Sequence, residues 1–405
     1  MSEPVAVTGL GLLTPAGSGT EAMWTCLCQG RPTAAADPAL KHMPVDFSCR
    51  VPDFDPAGVK KIAWRTNRFI QMALVAARMA VADAALPTDR WDHRRIGVVI
   101  GVGAASMEHW PGETEKLLQG RLRAVSPLAL PRSIPNMAAG EIALDLGVTG
   151  PNLVVSTACA SGATALGVAK DLLAADRCDV VLAGGAESPR ASQMVSLCFS
   201  RMSVLSRRRQ DPGRASRPFD ADRDGFVLGE GAAVMVLEKA AHARARRGGV
   251  RAWLSGYGAS ADAHHPTTPD PQGKGAAAAI GAALAEAGLR HDDIGHINAH
   301  GSSTEFNDLY EARTLNQIFD RPPPVTANKG SLGHSIGAAG AIEAACSVLT
   351  LQHQLIPPVA NFERPDPRIT LDIVAGTPRS HGMEAVLSNS FGFGGQNAAL
   401  VFTRA

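Results

Sequence analysis

VVSTACASGATALG, at residues 154–167, is the stretch from which the fold of this chain can be worked out. Its two leading valines are typical of a buried strand end, and the apolar residues after Gly162 recur at helical spacing to about residue 175. Cys159 therefore lies where a strand turns sharply into a helix. Because unpaired N–H groups and the helix dipole meet there, we expect the thiolate to be favoured. The alternative is a buried structural cysteine, which is the commoner fate of a cysteine inside a cell.

The composition predicts a globular protein with a large core. The chain has 405 residues, 45% of them hydrophobic, and a formal net charge of +1. That charge argues against a nucleic-acid-binding protein, and no uncharged apolar run reaches about 18 residues, so we expect no membrane span. The start, MSEPVAVTGLG, has no basic segment before an apolar run, so we expect no signal peptide and a cytoplasmic location. The seven cysteines are scattered, which predicts neither a metal site nor a disulfide framework.

The order of predicted elements repeats near the middle of the chain. After the basic segment AAHARARRGG (residues 240–249), strand and helix patterns begin again, which divides the chain into residues 1–249 and 250–405. IGVVIGVGAAS in the first part matches IGHINAHGSS in the second. We therefore predict an α/β protein with two similar βαβ halves packed about a pseudo-twofold axis. Loops at equivalent strand ends then meet in one cleft, where open α/β sheets place ligands.

Two other stretches are interpreted as loops. Gly9 and Gly11 follow a short apolar segment, and no third glycine stands at the spacing of a dinucleotide-binding site, so we predict a tight strand-end loop. Residues 201–224 are dense in Arg, Ser, Pro and Asp, which predicts a surface excursion over the site.

Three strand ends in the second half carry side chains suited to chemistry. They are NAHGSST (298–304) with His300, NKGSLGH (328–334) with Lys329 and His334, and SNSFGFGG (388–395) with Phe393. Each has an ordinary explanation, because a lone histidine is more often structural and a glycine-rich turn is often a plain hairpin. Four such loops, counting that of Cys159, fall at equivalent strand ends of a duplicated chain. That coincidence favours one shared catalytic site.

Together these motifs resemble the elongating β-ketoacyl-ACP synthases of the thiolase-fold superfamily. TACASG, NAHGSST, NKGSLGHSIGAAG and NSFGFGG occur in the family's order, and VAVTGLGLLTPAG (5–17) and RPFDADRDGFVLGEGA (217–232) match as well. The resemblance covers essentially the whole chain. It implies a thiolase-like fold whose duplicated βαβ halves pack as α/β/α/β/α layers. It also implies an acyltransferase that performs a decarboxylative Claisen condensation in fatty-acid or type II polyketide biosynthesis.

The resemblance also assigns roles to individual residues. Cys159 would carry the acyl chain as a thioester, and its backbone N–H would form an oxyanion hole with that of Phe393. His300 and His334 would stabilise the enolate left when the malonyl group loses CO₂. Lys329 would supply positive charge near His334. The supporting positions are Glu343 as the partner of Lys329, and Ser302 and Thr304 on the path of the pantetheine arm.

The expected partner is acyl carrier protein, whose phosphopantetheine carries both substrates, so the resemblance implies no resident cofactor or metal. It implies a dimer, either a homodimer or a heterodimer with a chain-length-factor-like paralogue, with the region around residues 136–173 beside the interface. Two alternatives remain open at this point. The chain could be a non-catalytic partner subunit that kept the site residues, or a cysteine acyl hydrolase, although it has no GxCxG elbow.

Two surfaces are predicted with less support from the motifs. The acyl pocket is expected in the segment 101–110, bounded by the loop at residues 107–110 with Met107 and Trp110. Trp110 would limit the chain length if it points into the pocket, and would affect assembly instead if it faces the dimer partner. Glu108 fits neither an alkyl floor nor a dry interface. Acidic carrier protein is expected to dock on basic residues around the pantetheine opening. The candidates are Lys61, Arg65 and Arg68, and the arginines at 207–209.

Overall fold

The computed structural model describes residues 4–54, 66–86, 91–104 and 107–405. Its strands are β1 (Val5–Thr14), β2 (Gly17–Ser18), β3 (Ala35–Ala36), β4 (Phe47–Ser48), β5 (Ile96–Gly101), β6 (Asn152–Val155), β7 (Val180–Glu187), β8 (Gly231–Lys239), β9 (Ala252–Ala261), β10 (His296–Asn298), β11 (Val325–Thr326), β12 (Leu355–Ile356), β13 (Arg379–Ser380), β14 (Ala385–Gly392) and β15 (Gln396–Thr403). Its α-helices are α1 (Thr20–Cys28), α2 (Arg68–Asp83), α3 (Trp110–Leu118), α4 (Ala129–Ser133), α5 (Met137–Leu146), α6 (Ser161–Ala174), α7 (Gln193–Arg201), α8 (Ala240–Ala245), α9 (Lys274–Ala287), α10 (Glu305–Ile318), α11 (Lys329–Leu332) and α12 (Ala339–His353).

The main sheet shows the predicted repeat. It runs β11-β10-β14-β15-β9-β1-β8-β7-β5-β6, with β2 paired to β1. Read outward from its own first strand, each half has the same order, β1-β8-β7-β5-β6 in one and β9-β15-β14-β10-β11 in the other. The directions match too, because β5 and β10 are parallel to both neighbours whereas β8 and β15 are antiparallel to theirs. The predicted boundary at residues 249 and 250 lies between α8 and β9.

Helices cover both faces of the two half-sheets and fill the space between them. Helices α6 and α12 share one core cluster with β1, β8 and β15, so they form the middle layer. Helices α2 and α5 share a second cluster with β5, and α9 and α10 share a third with β14 and β15. Alternating apolar residues on the two faces of each strand supply all three cores. The order of layers is therefore α/β/α/β/α, which confirms the predicted fold class.

Glycine pairs explain how closely β1 packs against α2 in the first half and β9 against α9 in the second. A Cβ at Gly9 or Gly11 would lie 2.2 or 1.9 Å from a carbonyl oxygen of α2, and one at Gly256 or Gly258 would lie 2.0 Å from a carbonyl oxygen of α9. Only glycine permits this approach. The prediction of a strand-end loop at Gly9 and Gly11 is therefore wrong, because both residues lie inside β1 and serve helix packing.

The interpretation of residues 201–224 as a surface excursion is also wrong for the second part of this segment, residues 217–223. Phe219 and Asp220 are fully buried. Arg217 Nε donates to Asp220 Oδ1 at 2.9 Å, and Arg223 Nη1 donates to Asp366 Oδ2 at 2.7 Å. Because these charges are paired, a polar segment can be buried here against the second half.

Candidate active site

The nucleophile turn joins β6 to α6. A 3₁₀ turn, Ala158–Ala160, stands between the strand and the helix, and Ala158 has the positive φ of 49°. Ser161 Oγ donates to Ala158 O at 2.7 Å and accepts from Thr157 N at 2.9 Å. These two bonds hold the turn in its strained shape. Cys159, at the centre of the turn, is buried.

The glycine-rich turn between β14 and β15 packs directly on the nucleophile turn. A Cβ at Gly392 would lie 2.5 Å from Thr157 O and 3.2 Å from Cys159 N, so no side chain fits there. The backbone N–H of Phe393 donates a hydrogen bond to the Cys159 thiol. A donor that reaches the sulfur also reaches the region where a thioester oxygen becomes charged during acyl transfer.

Burial decides the resting state of the nucleophile. It raises the pKa of Cys159 to about 11, against the lowering effects of the Lys329 charge and the Phe393 N–H. Desolvation penalises the thiolate more than these two groups favour it. The expectation of a favoured thiolate is therefore wrong. Cys159 is therefore a thiol at neutral pH.

His300 follows β10 and is fixed through its backbone. Its N–H donates to Glu311 Oε1 at 2.8 Å, and the N–H of Gly301 donates to Glu311 Oε2 at 2.9 Å. Glu311 lies on α10 and is buried, and Asn389 Nδ2 donates to its Oε1 at 3.3 Å. One carboxylate thus holds the histidine's turn and connects it to β14.

Lys329 determines which nitrogen of His300 carries the proton. Its ammonium donates to His300 O at 2.6 Å, to His300 Nδ1 at 3.3 Å and to Glu343 Oε1. Since Nδ1 must accept, the neutral ring carries its hydrogen on Nε2. The resemblance implied a positive charge near His334 with Glu343 as the partner of Lys329. The charge of Lys329 does lower the pKa of His334, and its hydrogen bonds go to His300 and Glu343. At 1% exposure Lys329 orders the site from within the core.

His334 completes a pair of rings. The two imidazole centroids lie 5.4 Å apart at an interplanar angle of 83°, and Phe226 packs edge-on to His334 at 5.1 Å. Burial first, and then the Lys329 charge, hold the pKa of both histidines well below the usual range. Both rings are therefore neutral N–H donors. Within the described residues, His334 Nδ1 has no hydrogen-bond partner.

A cavity of about 550 Å³ joins these groups. Its walls include Cys159, His300, His334 and Phe393, and Ser302 and Thr304 lie further along them. The hydroxyls of Ser302 and Thr304 are 2.8 Å apart. The structure thus brings the predicted nucleophile, both histidines and the two hydroxyl residues to one space, with Lys329 and Glu343 behind it.

The predicted acyl-pocket residues lie elsewhere. Met107 and Trp110 are 47% and 39% exposed and do not line this cavity. Trp110 is the first residue of α3, and the neighbouring Glu108 Oε2 accepts from Arg68 N at 3.5 Å. A role for Met107 and Trp110 in chain length stays a prediction.

The predicted docking residues are placed in part. Lys61 and Arg65 lie outside the described residues. Arg68 is taken up by an ion pair, because its Nε donates to both oxygens of the buried Glu230 at 3.1 Å. The arginines at 207–209 are partly or fully exposed, and Arg209 pairs with Asp46 at 2.7 Å. Docking on these residues stays a prediction.

Sequence reasoning missed two buried carboxylates of the site, Glu311 and Glu187. Glu311 lies in the polar-looking helix α10, and Glu187 ends β7 beside a surface-like SPR segment. Burial raises the pKa of each to about 7. The place of each glutamate in the predicted fold is a usable signal. Glu187 ends the strand beside β5 and accepts from the turn after β5. Glu311 lies on the helix after β10 and accepts from the turn after β10.

The cavity thus presents a protonated thiol, two uncharged N–H donors and backbone N–H groups to one bound substrate. Such a set accepts an acyl group and stabilises an oxyanion, which on this fold defines a condensing acyltransferase.

Comparisons with known proteins agree with that class. The N- and C-terminal domain models of β-ketoacyl synthase match residues 2–243 and 251–363. The 3-oxoacyl-[acyl-carrier-protein] synthase 2 of Vibrio cholerae is 38% identical over 413 residues, covering 99% of both chains. The ishigamide ketosynthase/chain length factor structure has a TM-score of 0.92 at 33% identity. A structure of a type II polyketide synthase acyl-carrier protein in complex with its ketosynthase, bound to the hexaketide, gives 0.90 at 28%. Both structures cover 100% of each chain. The chain belongs to the β-ketoacyl synthase family.

No helix in the described part of the chain has both the length and the apolar character needed to cross a membrane.

Proposed function

We propose that this chain joins an acyl group held on Cys159 to a malonyl unit delivered by acyl carrier protein, with loss of CO₂. The observation that carries the proposal is the shared cavity of Cys159 and two neutral histidines. A hydrolase needs a histidine that accepts a proton from water, whereas the Nε2–H of His300 is a donor. An enolate, by contrast, is stabilised by N–H donors such as these two histidines.

The chemistry proceeds in two half-reactions. In the first, Cys159 Sγ attacks the acyl thioester, the carrier thiol leaves, and the thiol proton of Cys159 goes to the departing sulfur. The N–H of Phe393 is placed to stabilise the tetrahedral oxyanion. In the second, the malonyl carboxylate leaves as CO₂ and the electron pair forms an enolate that His300 and His334 stabilise by N–H donation. The enolate carbon attacks the acyl group, and Cys159 leaves and regains a proton. No resident cofactor or metal is required.

Carrier protein and a second subunit complete the proposed assembly. A carrier protein bound to a relative of similar structure supports carrier delivery. Strand β6 pairs with β5 along one edge and has no other strand beside it in the described structure. The exposed Leu144 and Leu153 extend the same surface. We propose that this edge meets a second copy or a chain-length-factor-like paralogue. A cytoplasmic location fits a nucleophile that must stay reduced.

Intact-mass measurement tests the proposal. The wild-type protein is incubated with a series of acyl-carrier proteins and then with malonyl-carrier protein. We expect an acyl adduct on Cys159 that disappears with formation of β-ketoacyl-carrier protein. The matched control is Cys198→Ala, an exposed cysteine on α7, which should load normally.

Two results would contradict condensation by this chain. A folded protein that never forms the adduct is a non-catalytic partner subunit. An adduct that is lost to water at the same rate without malonyl-carrier protein indicates an acyl hydrolase.

A further inference from the structure

Behind Cys159, three backbone turns pack together without side chains between them. A Cβ at Gly103 would lie 2.6 Å from Ala158 O, and one at Gly337 would lie 2.3 Å from Gly103 N. We call Gly103, Ala104, Ala158 and Gly337 the backbone seam. It connects the turn after β5, the nucleophile turn and the 3₁₀ turn Ile336–Ala338. Because the turns touch directly, a shift in one displaces the residue next to Cys159.

One buried carboxylate holds this seam. Glu187, the last residue of β7, is 1% exposed. Its Oε2 accepts from Gly103 N at 2.6 Å and from Ala104 N at 2.7 Å. The N–H of Gly337 also bonds to this carboxylate. Glu187 thus joins a turn of the first half to a turn of the second, directly behind the nucleophile.

We propose that Glu187 is a positioning residue that locks the backbone seam behind Cys159 and whose negative charge opposes ionisation of the thiol. The proposal rests on the proposed function, because it concerns the nucleophile of that reaction. In the described structure Glu187 is bonded to backbone N–H groups and forms no ion pair with a lysine or arginine. Its charge is therefore left to act on its surroundings, which are of low polarity.

The other charges nearby fix the direction of this effect. The Lys329 charge lowers the pKa of Cys159, whereas Glu187 and Glu343 raise it. Glu230, the residue before β8, is a second buried carboxylate nearby. Arg68 and Arg190 neutralise its charge, and Ser188 Oγ donates to it at 2.5 Å. Glu230 therefore does not mask Glu187.

The pH dependence follows from burial of the carboxyl. Burial raises the pKa of Glu187 to about 7. Below that pH the group is neutral, and above it the carboxylate charge makes the Cys159 thiolate harder to form. In the wild type the rate of thiol alkylation should therefore rise less than tenfold per pH unit around pH 7 and approach tenfold on either side.

Glu187→Gln tests the charge, since one amide oxygen can accept the same N–H bonds. The rate of Cys159 alkylation by iodoacetamide is followed by peptide mass from pH 6 to 9. We expect the variant to show a constant tenfold rise per unit and, above pH 8, alkylation faster by on the order of tenfold, the effect of one pKa unit. The matched control is Glu286→Gln, which removes a carboxylate on α9 that pairs with Lys170 of α6. It should keep the wild-type profile. A Glu187→Gln profile that superimposes on the wild type would overturn the proposed charge effect.

Glu187→Ala tests the positioning. It leaves the seam N–H groups without their acceptor, so acyl loading should fall at least about tenfold while Glu187→Gln loads at or above the wild-type rate. If Glu187→Ala is folded and loads normally, the seam does not need the carboxylate and the positioning role is refuted. If Glu187→Ala does not fold, the alkylation profile of Glu187→Gln still decides whether Glu187 acts on Cys159. Alkylation needs no carrier protein, so failure of the proposed condensation would be seen separately, as absence of the acyl adduct in the wild type.

Discussion

The two halves of the molecule share a strand order but not a chemical task. The turn after β6 carries Cys159, whereas the corresponding turn after β11 carries Lys329 and, a few residues on, His334. In the described part of the turn after β5, Gly103 and Ala104 supply backbone N–H groups, whereas the turn after β10 carries His300. Under the proposed function, the first half thus supplies the nucleophile and the second supplies the groups that stabilise charge.

A shared feature underlies this difference. In each half, two consecutive N–H groups in the turn after β5 or β10 donate to one buried glutamate. Gly103 and Ala104 donate to Glu187, and His300 and Gly301 donate to Glu311. The two glutamates lie on elements that do not correspond, the end of β7 and helix α10, so the two turns are supported in the same way by different residues and present different side chains. The comparison teaches that loading and decarboxylation can be disabled one at a time.

Cys159→Ala breaks the comparison most completely. Acyl loading and condensation should be abolished, because the first half has then lost its nucleophile. Decarboxylation of malonyl-carrier protein should persist, since His300 and His334 are untouched. Loading is measured by intact mass and decarboxylation by CO₂ release. Formation of β-ketoacyl product by a folded Cys159→Ala protein would refute the division.

His300→Ala and His334→Ala address the second half. Each should lower the decarboxylation and condensation rates by about 10²–10³, the usual cost of one lost oxyanion donor. Loading of Cys159 should change far less, because its oxyanion is stabilised by backbone N–H groups. The two rates are measured separately. Equal losses in both half-reactions would mean that the histidines only maintain the fold.

His296→Ile makes the two halves more alike. His296 begins β10 as Ile96 begins β5, and each pairs with a valine of the neighbouring strand. His296 is fully buried, and neither ring nitrogen has a hydrogen-bond partner among the described residues. Burial, with a smaller effect of His381, lowers its pKa to about 3.

The pH dependence of stability follows from that lowered pKa. Protonation favours the unfolded chain as the pH falls from about 6.5 towards 3, at about 1.4 kcal/mol per pH unit. The wild type should therefore lose this stability relative to His296→Ile in acid, but not above pH 7. Urea unfolding at pH 7.5 and pH 5 measures the difference. A constant difference between the two pH values would show that His296 is not neutral in the fold.

Trp110→Ala sharpens the comparison with the smallest expected effect. If the loop of the first half limits the acyl chain, the longest group that loads onto Cys159 should lengthen while the loading rate of short chains is unchanged. The measurement is intact mass across acyl-carrier proteins of rising length, with light scattering to follow dimerisation. The same set of loaded chains, or dissociation into monomers, would rule out a role as length gate.

The fold and the main site residues could be predicted because their signals are local. Small residues around Cys159, and histidines directly after apolar strands, are visible as sequence patterns. The repeat showed that the loops carrying them meet. These features need no knowledge of how deeply each group is buried.

The rest depends on burial, which no local pattern records. The helix terminus at Cys159 predicted a thiolate, but burial raises the pKa of the thiol to about 11. Glu187 and Glu311 resemble surface carboxylates until the turns that donate to them are seen. Gly9 and Gly11 resemble a loop until α2 is placed against β1. Each error concerns which distant element packs against a residue, and the sequence next to that residue does not record it.

The position of β1 has a consequence for how the chain folds during synthesis. Val5 pairs with Lys239 on one side and Leu254 on the other, so both neighbours of this early strand are translated long after it. As the chain emerges from the ribosome, β1 can pair early only with β2, at Leu13 and Thr14, and the rest of this apolar strand stays unpaired until most of the polypeptide has been made. Such non-local pairing slows folding and leaves a sheet edge open to aggregation. The strand that later joins the two half-sheets is thus exposed during much of synthesis, when a chaperone that binds apolar segments would protect it.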